Sequence, residues 1–188
     1  MIMANQNRPA RVQIVVVAVL LLAVAWTAAF GWPAVGARAH GVEAMGVLGR
    51  IARGAAVYYV KPRGQESGGR MLCQFPQGET RSSAAASCCD PAVNLAGTPY
   101  CDPEKLTWNT TIWTTIGVEV ADPQPFVFHY EASGAMGDAR YVVSAYGDLD
   151  CDGQMSTFRF VGKGDPASRA DDCILTTRPV FTSDLVRE

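Results

Sequence analysis

The sequence predicts an α+β protein, in which a long apolar N-terminal helix precedes a small antiparallel sheet domain held by disulfides. An uncharged apolar run extends from Ile14 to Phe30, and all six cysteines follow it. The last third of the chain alternates apolar and polar residues, as strands do. We predict a cytoplasmic stub at 1–11, a transmembrane helix at 12–32, an amphipathic continuation at 33–60 and an exported head domain at 61–188.

The apolar run has the length of a membrane span. Extended to Val12 and Trp32 it reaches about 20 residues, enough for a helix to cross roughly 30 Å of hydrocarbon. Because disulfides persist only in oxidising compartments, the cysteines place the rest of the chain outside the cytoplasm if they pair. A removable secretory signal is the alternative, since Arg8 and Arg11 form a positive region and Ala37-Arg38-Ala39 resembles a cleavage site.

A second helical pattern follows the apolar run. The proline in Trp32-Pro33-Ala34 predicts a kink or a break. Beyond it, apolar residues recur at helical spacing and predict one buried face. These residues are Val42, Met45, Leu48, Ala52, Ala55 or Ala56, and Tyr59. The sequence Lys61-Pro62-Arg63-Gly64 is expected to end the helix.

The middle of the chain shows no clear period between Gly64 and Pro103. Loops of this length are uncommon unless something holds them. Four of the cysteines lie here, and disulfides among them would hold the segment. A short helical piece is predicted after Asp102-Pro103-Glu104, with Trp108 and Trp113 against the core.

A three-stranded antiparallel meander is predicted next. Its strands are expected at 126–131, 141–146 and 156–161, with Asp152-Gly153 in the second turn. Six cysteines allow 15 connectivities. We predict that Cys151 pairs with Cys173 and fixes the C-terminal tail to the sheet. The remaining pairs would form among Cys73, Cys88, Cys89 and Cys101.

One acidic cluster has the pattern of a metal site. Asp148, Asp150 and Asp152 precede Gly153 in a D-x-D-x-D-G sequence, which can direct three carboxylates at Ca²⁺. A complete EF-hand is excluded, because Arg159 stands where the bidentate glutamate belongs. A different shell would draw on Asp165, Asp171 or Asp172. The alternative is a plain acidic β-turn, in which Asp and Gly serve backbone geometry.

Charge and residue types exclude other function classes. Residues 1–60 carry five Arg and one Glu, a charge of +4, so the remaining residues carry −6 to give the total of −2. That acidic balance excludes nucleic acid as a partner. The only histidines are His40 and His129, and neither belongs to a nucleophile or paired-carboxylate pattern. The sequence therefore predicts no enzyme, no small-molecule substrate and no cofactor other than Ca²⁺.

Several motifs together resemble those of a known family. They are the apolar helix with its proline, the segment from Ile51 to Tyr59, Lys61-Pro62-Arg63-Gly64, Cys73-Gln74-Phe75-Pro76, Cys88-Cys89-Asp90, Cys101-Asp102-Pro103 and the segment from Ala145 to Gly153. In this combination the chain resembles the cysteine-rich type IV pilin-like proteins of bacteria.

The resemblance implies a structural or assembly role in a type IV pilus or a type II secretion-like system. It implies contacts of the N-terminal helix with the lipid bilayer, with other pilin-like subunits, or with both. The protein would lie in the bacterial inner membrane with its head in the periplasm, or in an extracellular filament.

The chain lacks the family's processing signals. Arg11, Val12 and Val16 stand where prepilins carry a glycine, a phenylalanine or methionine, and a glutamate. This departure from the family argues against processing by prepilin peptidase and against the buried carboxylate that pairs with a neighbouring subunit's amino terminus. The alternative function is a secreted or periplasmic binding module with a cleaved signal and a Ca²⁺-organised loop.

Overall fold

The computed structural model describes residues 8–61, 73–169, 172–176 and 180–184, with the side chains of 8–12 and 27–40 outside the description. The chain divides into two compact units, Met1–Ala39 and His40–Glu188. The elements are α1 (Arg8–Val60), β1 (Gly78–Arg81), a 3₁₀ helix (Pro103–Lys105), α2 (Thr111–Ile116), β2 (Val127–Ser133), a second 3₁₀ helix (Met136–Asp138), β3 (Arg140–Gly147), β4 (Ser156–Lys163) and β5 (Val180–Asp184).

The predicted fold class is wrong, because it includes a long apolar helix that spans a membrane. Within the part of the chain that the structure describes, no helix is long and apolar enough to cross a membrane. The architecture is instead a five-stranded antiparallel sheet with few helices.

The predicted break near Pro33 is also wrong. Helix α1 continues through this proline and is 53 residues long. A proline removes one backbone hydrogen bond from a helix, and a long helix retains the others.

The sheet follows chain order, β1-β2-β3-β4-β5, and each neighbouring pair is antiparallel. The three predicted strands are confirmed as β2, β3 and β4. The prediction of a three-stranded sheet is wrong because β1 and β5 extend it at its two edges. All of β5 is exposed, and β1 has a single buried residue, Thr80, so neither strand carries a strong apolar alternation.

The core of the second unit contains one face of the sheet and one face of α1. The buried sheet residues include Phe128, Tyr130, Tyr141, Val143, Ala145 and Phe158, and the buried helix residues include Ala44, Leu48, Ile51, Ala52, Ala55 and Tyr59. The predicted helix stripe is partly wrong, because Val42 is 64% exposed and Met45 is 38% exposed. The other predicted residues are confirmed as buried, namely Leu48, Ala52, Ala55 and Tyr59, and Ala44, Val47 and Ile51 are buried beside them.

Two contacts fix the position of α1 within this unit. The Tyr59 hydroxyl donates to the Met136 carbonyl at 2.9 Å and lies 3.0 Å from the Ser168 hydroxyl. At Gly54 the helix approaches the end of α2 so closely that an added Cβ would overlap the Ile116 carbonyl oxygen. These contacts join α1 to parts of the chain that are distant in sequence.

Helix α2 begins and ends with capping residues. The Thr110 hydroxyl accepts a hydrogen bond from the Trp113 backbone N–H, and Gly117 adopts the left-handed conformation after the last turn. Trp113 is fully buried, Trp108 is nearly so, and their ring centroids lie 5.1 Å apart. The prediction that both tryptophans are core residues is confirmed.

Candidate functional site

The predicted acidic cluster lies in the loop that joins β3 to β4. Carboxylate oxygens of Asp148, Asp150 and Asp152 lie within 4.8 Å of one another. Asp148 is buried, whereas Asp150 and Asp152 are exposed. The D-x-D-x-D-G spacing therefore does bring the three side chains together.

Hydrogen bonds within this loop are those of a turn. The two carboxylate oxygens of Asp148 accept from the backbone N–H groups of Asp152 and Gly153, each at 3.1 Å. Asp150 also accepts from the Asp152 N–H at 3.1 Å. Cys151 and Gly153 have positive φ values of 63° and 89°. The Asp and Gly residues thus perform the backbone role expected of a tight turn.

The other acids proposed for the Ca²⁺ shell do not join this cluster among the residues described. Asp165 caps its own turn by accepting from the Ala167 N–H at 2.8 Å, and Asp171 lies outside the described residues. Arg159 lies in β4 and donates to the Ser144 hydroxyl at 3.1 Å. Three carboxylates can contribute to a hard cation site, but Ca²⁺ takes six to eight oxygens.

All six cysteines form disulfides, as the sequence predicts. The pairs are Cys73–Cys173, Cys88–Cys101 and Cys89–Cys151. The predicted Cys151–Cys173 pair is wrong, because the acidic loop lies beside Cys89 and the tail lies beside Cys73. Only Cys88–Cys101 is a pair among the first four cysteines. Through Cys89–Cys151 the acidic loop is covalently attached to the middle segment.

His129 lies in β2, as predicted, and contacts an acid on the neighbouring strand. Its Nε2 is 2.9 Å from Glu79 Oε1, and Arg81 Nε approaches the same oxygen at 3.4 Å. Glu131 is directly opposite Glu79 in the β1–β2 register. Since opposed like charges repel, Arg81 is placed to offset this repulsion.

A second acidic feature was not predicted from the sequence. An open depression of about 430 Å³, here called the tryptophan depression, lies beside the start of α2. Its lining includes Leu106, Trp108, Asn109, Glu104 and Glu119. Neither glutamate forms an ion pair with another residue that the structure describes. The nearest residue of opposite charge in sequence, Lys105, donates instead to the Asn94 carbonyl at 3.0 Å.

No local sequence signal identifies this depression, because its two glutamates are 15 positions apart and separated by α2. The feature combines an apolar wall with two carboxylates that have no ion-pair partner among the described residues.

Comparison of the chain with known protein families, curated proteins and solved structures finds no match.

Proposed function

We propose that this chain is a non-enzymatic structural subunit, similar in role to type IV pilin-like proteins, that assembles with other copies of itself outside the cytoplasm. The observation that carries the proposal is the apolar surface of α1. Its large apolar side chains between Ile14 and Leu22 are 51–70% exposed. Contiguous apolar patches of this kind mark interaction sites.

The three disulfides support an exported role. Cross-links that join residues 13, 62 and 100 positions apart restrict the unfolded chain and stabilise the folded head. Such bonds are typical of proteins in oxidising compartments. A covalently fixed head suits a subunit whose role is to present a constant surface to its neighbours.

The self-association of the purified full chain tests the proposal. Sedimentation velocity over a range of concentrations should show oligomers of the unaltered chain. The V17N/L21N variant should shift to monomers, because these positions share one helix face. The L95N variant, which alters an exposed apolar residue in a loop, serves as the matched control and should assemble normally.

Two results would contradict this proposal. One is an unaltered chain that stays monomeric at every concentration and only binds phosphatidylglycerol vesicles. The other is a native chain whose mass corresponds to a start at His40, since it would lack the apolar surface.

A second candidate function is a secreted binding module with a Ca²⁺-organised loop, favoured by the convergence of Asp148, Asp150 and Asp152. If the loop binds Ca²⁺ only in the folded state, added Ca²⁺ must raise the melting temperature. The D150N/D152N variant should lose this rise, because it keeps the buried Asp148 turn and removes two ligand charges. An identical melting temperature in EDTA and in excess Ca²⁺ would eliminate this candidate.

A further inference from the structure

We propose that Arg50 and Arg53 of one copy bind the tryptophan depression of a second copy, through Glu104 and Glu119. This inference rests on the proposed function, because it takes the partner that binds the depression to be another copy of the same chain. It assigns a specific contact to the second compact unit, separate from the apolar surface of residues 14–22.

The basic side of the contact is the solvent face of α1. Arg50 and Arg53 lie three residues apart on the exposed side of the helix, so their side chains are neighbours on one face. Neither arginine forms an ion pair with another described residue. Val57 is 61% exposed and lies one turn beyond Arg53 on this face. The helix therefore presents two positive charges, without ion-pair partners in the described part of the chain, beside an apolar side chain.

The acidic side is the tryptophan depression. Glu104 and Glu119 are both exposed and line one concavity with Trp108 and Leu106. A guanidinium group can form two parallel hydrogen bonds to a carboxylate. The arginine side chain also carries an apolar stem, which can pack on an apolar wall while the charged end meets an acid. The depression thus offers both parts of an arginine site.

Charge complementarity favours a second copy as the occupant. The two surfaces carry equal and opposite charge, two arginines against two glutamates, and neither set is neutralised by an ion pair within the described chain. Opposed potentials steer partners together and fix their register. Because the contact joins two different surfaces of identical chains, it can repeat from copy to copy.

Charge reversal in the full chain tests this contact. The R50E/R53E and E104K/E119K variants should each weaken self-association about tenfold or more, because each replaces attraction by repulsion. An equimolar mixture of the two variants should restore association. In this mixture the acidic helix face of R50E/R53E can contact the basic depression of E104K/E119K. Raising the ionic strength should weaken association of the unaltered chain.

The D122K/D184K variant is the charge-matched control, since it reverses two exposed acids elsewhere and should associate normally. Near-ultraviolet circular dichroism verifies that each variant is folded. If both reversed variants assemble like the unaltered chain while V17N/L21N does not, the inference is overturned and the proposed function stands. If the unaltered chain never self-associates, both are overturned.

Discussion

At Gly54 the absence of a side chain allows α1 to pack against the end of α2. We expect G54A to lower the free energy of unfolding by about 1–3 kcal/mol, because a Cβ here would overlap Ile116 and force the two elements apart. Denaturant unfolding measures this change.

Gly46 provides the matched control in the same helix. It is exposed, and nothing lies within 4 Å of an added Cβ. We expect G46A to raise stability by about 0.5–1 kcal/mol, because alanine favours the helix. If G54A were as stable as G46A, the close approach to Ile116 would be wrong.

The buried tyrosines give the fold a sensitivity to alkaline pH. Burial raises the pKa of the Tyr130 and Tyr141 hydroxyls well above their ordinary value of about 10, and for Tyr130 the neighbouring Tyr141 and Tyr58 add to this. Above that pH the unfolded chain loses protons that the folded chain keeps. The contribution of these two groups to the free energy of unfolding should therefore be constant below about pH 9 and fall as the pH rises beyond about 10.

The Y130F variant isolates this effect. The Tyr130 hydroxyl has no hydrogen-bond partner within the described structure, so its removal should preserve stability at neutral pH and reduce the alkaline slope. Urea unfolding at several pH values measures both. An unchanged slope in Y130F would contradict this assignment.

Within α1, the core face is expected to tolerate truncation of a side chain to alanine less well than the solvent face. Leu48 is fully buried and Val42 is largely exposed. We expect L48A to cost about 2–5 kcal/mol of stability, and V42A to change it by less than about 0.5 kcal/mol. Equal losses of stability in L48A and V42A would contradict the exposure of Val42 and support the helix stripe that the sequence predicts.

The strands illustrate which elements the sequence could and could not predict. In β2 the residues Phe128 and Tyr130 alternate with His129 and Glu131, and this period of two identified the strand. The sequence Gly78-Glu79-Thr80-Arg81 has no such pattern, so β1 depends on its pairing with β2. An edge strand with one buried residue or none shows little alternation of apolar and polar residues in its sequence.

The candidate sites divide in the same way. The Asp148–Asp152 cluster was predictable, because a turn places residues close in sequence close in space. The tryptophan depression was not, since it forms only when the segment around Glu104 packs beside the segment around Glu119. Disulfide pairing is equally non-local, and for that reason the Cys151–Cys173 prediction failed.

For the whole molecule, the Cys73–Cys173 bond encloses most of the head. Its residues are 100 positions apart, whereas those of Cys88–Cys101 are 13 apart. Loop-entropy estimates give about 4.7 kcal/mol for a loop of about 100 residues and about 3 kcal/mol for one of about 15. We therefore expect C73A/C173A to destabilise the protein more than C88A/C101A, as measured by thermal unfolding.

The opposite order would indicate that strain or residual structure, rather than chain entropy, determines the contribution of each bond. The C89A/C151A variant, with a separation of 62 residues, should fall between the other two. Intact mass spectrometry after alkylation confirms that the remaining two bonds have formed in each variant.

The hydroxyl of Tyr59 meets Ser168, which lies 109 positions later in the chain. Translation proceeds from the N terminus, so the apolar side of α1 leaves the ribosome long before the strands that cover it. A nascent chain therefore exposes Leu48 and Ile51 until most of the sheet has emerged. During this interval the exposed apolar face favours aggregation.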